Sequence, residues 1–208
     1  MTEPRPASTG ARRAARASVL ALLGGCTIAP GPETAGPSGS PNDFPTGYGT
    51  LRQEDVSMQL VSGDLQLMVT PLHESVTHVT APDTQRRLDA LVDAYASTGS
   101  EDGSGLFLVS FFSDRPDVRF DPEEVQLLDQ GFRLRPASIT PLTPTWGERR
   151  VQQREQVMAV YRYAGSIDLE SDLVLAYGMQ QTSQWSAILT RIRAERARVR
   201  SRVGISPE

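Results

Sequence analysis

Leu106-Phe107-Leu108-Val109-Ser110-Phe111-Phe112 decides the fold class. Apolar residues stand on both parities of this run, so a strand built from it has no face to give to water. It reads as a central strand covered on both sides. Ser113-Asp114-Arg115-Pro116-Asp117 supplies turn chemistry at its end. Residues 97–105, small and acidic, precede it as an expected loop.

Upstream, Val56, Met58 and Leu60 alternate with polar residues, as do Leu65, Leu67 and Val69. With Ser62-Gly63-Asp64 between them, the two runs predict a hairpin with one buried face. Residues 75–80 are rich in β-branched side chains and predict extended chain. Then the period changes. Thr80 and Asp83 have the spacing of a capping box around Pro82, and Leu88, Leu91, Val92 and Tyr95 follow at helical spacing. One amphipathic helix is expected near residues 81–97, its apolar stripe packed on a sheet.

Downstream, residues 125–128 and 132–134 flank Asp129-Gln130-Gly131, a second hairpin with glycine at the left-handed position. Residues 136–146 hold three prolines and predict a crossing loop. Val157, Ala159, Tyr161 and Tyr163 alternate with Gln156, Met158, Val160 and Arg162, and Leu173, Leu175 and Tyr177 form a last strand closed by Gly178. About seven short strands with regularly spaced turns argue for a mainly β protein, a β-sandwich.

The order LFLVSFFSD, EEVQLLDQGFRL, QVMAVYRY and DLVLAYG, over residues 106–178, resembles the immunoglobulin-like domains of small secreted bacterial antigens and lipoproteins. The resemblance implies an immunoglobulin-like β-sandwich used as a binding or structural module. The helix near 81–97 would be an insertion in it, and the Cys–Trp–Cys core of antibody domains is absent.

A second decisive stretch lies near the N-terminus. Arg5, Arg12, Arg13 and Arg16 precede a short apolar run over residues 17–23, which ends in Leu23-Gly24-Gly25-Cys26. The run is too short to span a bilayer and suits a cleaved signal. Leu, two small residues and Cys in that order resemble the lipobox of bacterial lipoproteins. The resemblance implies that residues 1–25 are a signal peptide and that Cys26 is acylated. The protein would then be exported and anchored to the bacterial cell membrane, the outer one where there are two, because Thr27 replaces the retaining Asp. Cys26 is the only cysteine, so no intramolecular disulfide is available. Of the 24 residues from 27 to 50, 16 are Pro, Gly, Ser or Thr, the composition of a tether spanning about 27 Å. Four segments result: signal peptide 1–25, lipidated Cys and tether 26–50, sandwich 51–182, and an Arg-rich C-terminal amphipathic helix and tail 183–208.

Charge is unevenly spread. Residues 1–25 are +3, residues 26–190 are −11 and residues 191–208 are +4, all of the positive charge being arginine. An acidic body argues against nucleic acid as the main partner. In the last segment Trp185, Ile188, Leu189 and Ile192 make an apolar stripe, beyond which stand Arg191, Arg193, Arg196, Arg198, Arg200 and Arg202. These six are candidates for contact with anionic lipid or another envelope polyanion, worth about 1 kcal/mol per arginine at a surface. Docking on the acidic body is the other use open to them.

No catalytic constellation emerges. His73 and His78, the only histidines, would point to opposite faces of an extended chain and share no ion. The acidic set Asp114, Asp117, Asp121, Glu123 and Glu124 lacks a calcium-loop pattern, and Arg115 and Arg119 interleave with it as expected partners. The expectation is therefore a non-enzymatic envelope lipoprotein, a binding or assembly module with no metal and no cofactor. Its partners would be the bilayer, through acylated Cys26, and an envelope protein or anionic polymer. A hydrolase using the clustered carboxylates is the alternative.

Overall fold

The computed structural model describes residues 46–95 and 105–203. Leu23, Gly24, Gly25 and Cys26, the tether as far as residue 45, and the last two residues of the expected helix lie outside the described residues. Strands β1 (Met58–Ser62) and β2 (Leu65–Pro71) form the first hairpin. Its two loop residues are Gly63, at φ 59, and Asp64, as strand twist requires of a tight turn. Helix α1 (Glu74–Thr77) and helix α2 (Pro82–Tyr95) follow. Next come β3 (Leu106–Ser113), β4 (Val118–Arg119), β5 (Val125–Asp129), β6 (Phe132–Leu134) and β7 (Pro136–Pro141). β8 (Arg150–Val151), β9 (Gln156–Tyr163), β10 (Leu173–Tyr177), β11 (Gln180–Thr182) and helix α3 (Trp185–Val203) complete the described chain.

The fold is mainly β, a sandwich of antiparallel sheets. One sheet runs β1-β2-β3-β9-β7, the other β11-β10-β5-β6, and β4 pairs with β8 apart from both. The central run lies where its pattern demands. β3 has β2 on one side and β9 on the other, and seven of its eight residues are buried. Phe107, Val109 and Phe111 enter the main core between the sheets, with Leu67, Val69, Val125, Leu127, Tyr161 and Leu175. Leu106 and Leu108 point the other way, into a second cluster with Leu72, Leu88 and Val160. Leu91, Val92 and Tyr95 pack on that cluster, so α2 roofs the outer face of the sheet.

Two tyrosines tie the sheets through the core. Tyr161 donates its hydroxyl to the Pro122 carbonyl at 2.9 Å, and Tyr163 donates to the Val125 carbonyl at 3.2 Å. Burial pushes both phenols above their ordinary pKa, so they stay protonated donors around neutral pH.

Three local expectations change. Residues 74–77 are helical rather than extended, because the His73 imidazole accepts the Ser75 N–H at 3.2 Å and caps a single turn. Residues 136–141 are a strand, not a loop. Pro136 and Pro141 bracket it, it lies at the sheet edge, and only one neighbour, β9, pairs with it. The chain also adds β11 after Gly178, antiparallel to β10.

Helix α3 belongs to the body. Trp185, Ile188, Leu189 and Ile192 are buried in the main core, and Trp185 Nε1 donates to the Leu169 carbonyl at 3.1 Å. Its polar face carries the arginines.

Candidate functional site

The registers collect several connections at one end of the sandwich. Ser62 pairs with Leu65, Leu65 with Ser113, Phe112 with Gln156, and Val125 with Tyr177. The β1–β2 turn, the β3–β5 connection, the β7–β9 connection and the Gly178-Met179 turn therefore emerge together. Side chains then join them. Arg115 reaches Asp64 at 3.9 Å, Arg149 reaches Glu123 at 2.7 Å and Asp121 at 3.9 Å, and Arg150 bonds Asp117. Tyr177 Oη accepts the Asp121 N–H at 2.8 Å.

An aromatic brace fixes this end from below. Phe111 stacks on Phe120 at a centroid distance of 4.5 Å and lies 5.7 Å from Trp146 and 5.8 Å from Tyr177. Phe120 meets Trp146 edge-on at 5.0 Å. One ring from each long connection is thus anchored on β3. Phe120 and Trp146 stand in stretches otherwise read as turn and loop, and large aromatics there are the signal that the connections are packed.

Above the brace, residues 119–121, 148–150 and Tyr177 line an open concavity of about 520 Å³. Among the described residues, three of the four non-glycine residues with positive φ lie in these connections: Asp117 (59°), Arg149 (53°) and Arg154 (60°). Backbone held in that region costs energy and persists only where surroundings impose it. Met179 stands 97% exposed at the tip of its turn. A fixed, charged, concave end with one free apolar side chain suits recognition of another molecule.

The acidic set belongs to this end; of the interleaved arginines Arg119 adds to the field that lowers the Asp117 pKa, but the salt bridges come from elsewhere. Arg149 and Arg150, from the β7–β9 connection, take Asp117, Asp121 and Glu123, while Arg115 turns to Asp64. Arg150 holds the Asp117 carboxyl below the usual carboxylate range. Among the described residues, no group of three or more His, Cys, Asp and Glu side chains is placed to hold a metal ion.

The histidines flank α1: His73 is still extended at φ −141 and ψ 141, whereas His78 is helical. His78 is its C-cap, and His73 Nδ1 lies 2.7 Å from Ser75 Oγ. That Ser–His contact has catalytic distance but capping geometry. The same Nδ1 takes the Ser75 N–H, and Ser75 is 5% exposed, closed to a substrate.

The six arginines of α3 divide sharply. Arg196 is buried and donates to the Ser75 carbonyl at 2.9 Å and to Glu170 at 2.5 Å. It presents no charge to any surface, which removes it from the set expected to touch a polyanion. Arg193 shares Glu170 at 2.9 Å, and Arg191 reaches Asp55 at 3.4 Å. Arg198 and Arg202 converge on Glu195 at 3.2 and 3.1 Å. Arg200 is exposed on the same final turns.

Glu195 is the residue that sequence reasoning missed. Its side chain is inaccessible, and it accepts the Thr50 hydroxyl at 2.8 Å besides its two arginines. Arg202 also donates to the Tyr48 carbonyl. Glu195 thus clasps the point where the chain enters the domain. Gly49 completes the fit, since a Cβ there would lie 2.2 Å from the Val79 carbonyl carbon. Because β2 runs about 23 Å away from the Gly63 turn before α1 begins, this entry lies at the end opposite the clustered connections.

Burial alone would raise the pKa of Glu195 and of Glu170. The bonds from Thr50, Arg198 and Arg202 to the first, and from Arg196 and Arg193 to the second, outweigh it and hold both below the ordinary value. With folded pKa values below unfolded ones, the unfolded chain takes up protons first as pH falls. The stabilisation is complete above the unfolded glutamate value of about 4.3 and drains away below it. Thermal melts from pH 7 to pH 3 should therefore be flat to about pH 5 and then fall. Replacing both residues with Gln should lower the neutral plateau and flatten the acid limb. An acid limb unchanged by the double substitution would place the effect elsewhere.

No family model, curated protein or solved structure matches this chain.

Proposed function

We propose that the chain is a membrane-anchored envelope lipoprotein whose sandwich is a non-enzymatic binding or assembly module. In this reading residues 1–25 are the signal, Cys26 is acylated, and the Pro- and Gly-rich stretch after it is a spacer. The clustered connections are the working end. The observation that carries the reading is the polarity of the domain. The chain enters the domain at the Glu195 clasp, and the fixed charged concavity opens at the opposite end of the same domain.

The immunoglobulin-like reading fits this use. Counted from β2, the sheets run β2-β3-β9-β7 and β11-β10-β5-β6. That is the A-B-E-D and G-F-C-C′ order of immunoglobulin-type sandwiches, with β1 added at the edge. In those domains the loops at one end do the binding.

Two measurements in a bacterial host test the proposal. Labelled palmitate should enter the wild-type protein and be absent from Cys26→Ser, which should also leave the membrane fraction. A photocrosslinking side chain at Met179 should give discrete adducts in intact cells, whereas one at Phe132, also exposed but in the β5–β6 hairpin, should not. Equal labelling of the Ser variant would overturn the anchor, and equal adduct patterns would overturn the working end.

A further inference from the structure

We infer that the last turns of α3 are a contact surface for anionic phospholipid headgroups, which sets the domain upright on the bilayer. The inference rests on the anchor proposed above and adds an orientation to it. Arg198 and Arg202 both bond the single carboxylate of Glu195 at the end of the helix, with the side chain of Arg200 exposed on the same turns. Two guanidinium groups on one carboxylate leave the clasp itself positive on an otherwise acidic body. Arg198 keeps 66% and Arg202 39% of its side-chain surface exposed while bonded to Glu195.

The place of this patch matters more than its charge. Arg202 donates to the Tyr48 carbonyl, so the patch touches the segment through which the chain leaves the domain towards Cys26. Tyr48 is 44% exposed and Val203, next to Arg202, is 37% exposed. An amphipathic aromatic, an aliphatic and arginines form the side-chain mixture favoured at a membrane interface.

Physical scale supports the assignment. Screening limits the attraction to about 8–10 Å, so arginines elsewhere on a tethered domain would rarely sense the bilayer. A patch at the tether exit is held within the tether's span, about 27 Å, and meets headgroups at high effective concentration. Contacts too weak to bind a free protein then suffice to orient an anchored one. The acidic connections at the far end are repelled by the same surface, which reinforces the upright pose.

The test uses the full chain with Cys26→Ser, so that no acyl group contributes, and vesicles of phosphatidylcholine with or without about 30% phosphatidylglycerol. An environment-sensitive dye is placed on Ser201→Cys or on Met179→Cys. The Ser201 dye should report headgroup contact only with the anionic vesicles, and the Met179 dye should report none. Arg198→Gln/Arg200→Gln/Arg202→Gln should weaken the association about a hundredfold. Because two of those residues support Glu195, Arg200→Glu is the second variant. It leaves the clasp intact and should still weaken binding several-fold. Equal signals from the two dyes, or affinity unchanged by Arg200→Glu, would overturn the inference. Failure of palmitate labelling with these results intact would remove the anchor alone.

Discussion

Trp185→Ala should lower the free energy of unfolding by about 3–5 kcal/mol, read from urea or thermal denaturation by circular dichroism. Trp185 is fully buried at the first turn of α3, and its indole N–H satisfies the Leu169 carbonyl. Truncation leaves a cavity, strands a buried acceptor and frees the helix that closes the core. Domains carry only about 5–15 kcal/mol in total, so the variant should lose a large share of its stability. Thr190→Ala, on the exposed face of the same helix, should change stability by no more than about 0.5 kcal/mol. Comparable losses in both variants would mean that helix propensity, not docking, holds α3.

Phe111→Ala should cost a similar amount, about 3–5 kcal/mol, and do something more local as well. Phe111 is the ring on which Phe120, Trp146 and Tyr177 converge. Without it the β3–β5 and β7–β9 connections lose their common support. Hydrogen exchange should quicken at the Phe120 amide, which donates to the Arg149 carbonyl, and in the β4–β8 pair. Phe107→Ala is the comparison. It empties the same core further along β3, where its neighbour is Tyr163 at 5.5 Å, and should destabilise comparably while sparing those amides. Exchange that rises equally in both variants would show that this end of the sandwich is not braced separately.

These contrasts also mark what could be read from residues in order. The two-sided burial of 106–112, the Gly63 and Gly131 hairpins and the α2 stripe are local patterns. Each element carries its own periodicity and turn residues, so each was legible. Extended chain at 75–80 failed because one imidazole, His73, turned the backbone into a capped helix. The strand at 136–141 was hidden because proline argues against pairing, and only its position at the sheet edge makes it harmless. The clasp was beyond reach for a different reason. Thr50 and Glu195 are 145 positions apart, and nothing near either residue announces the other. Likewise the arginines of α3 read either as a polyanion contact or as a face docked on the acidic body until Asp55, Glu170 and Glu195 are brought to them. The charge balance between body and tail was visible; which arginines it would consume was not.

The burial of Trp185, Ile188, Leu189 and Ile192 in the common core sets an order of events. A ribosome delivers these residues after every strand, so the sandwich lacks part of its filling until synthesis has passed residue 192. If the chain is exported as proposed above, threaded through a membrane as unfolded polypeptide, it gains from that delay: its strands cannot lock prematurely around a core whose last wall has yet to arrive, and maturation would fall on the side of the membrane where the helix finally emerges.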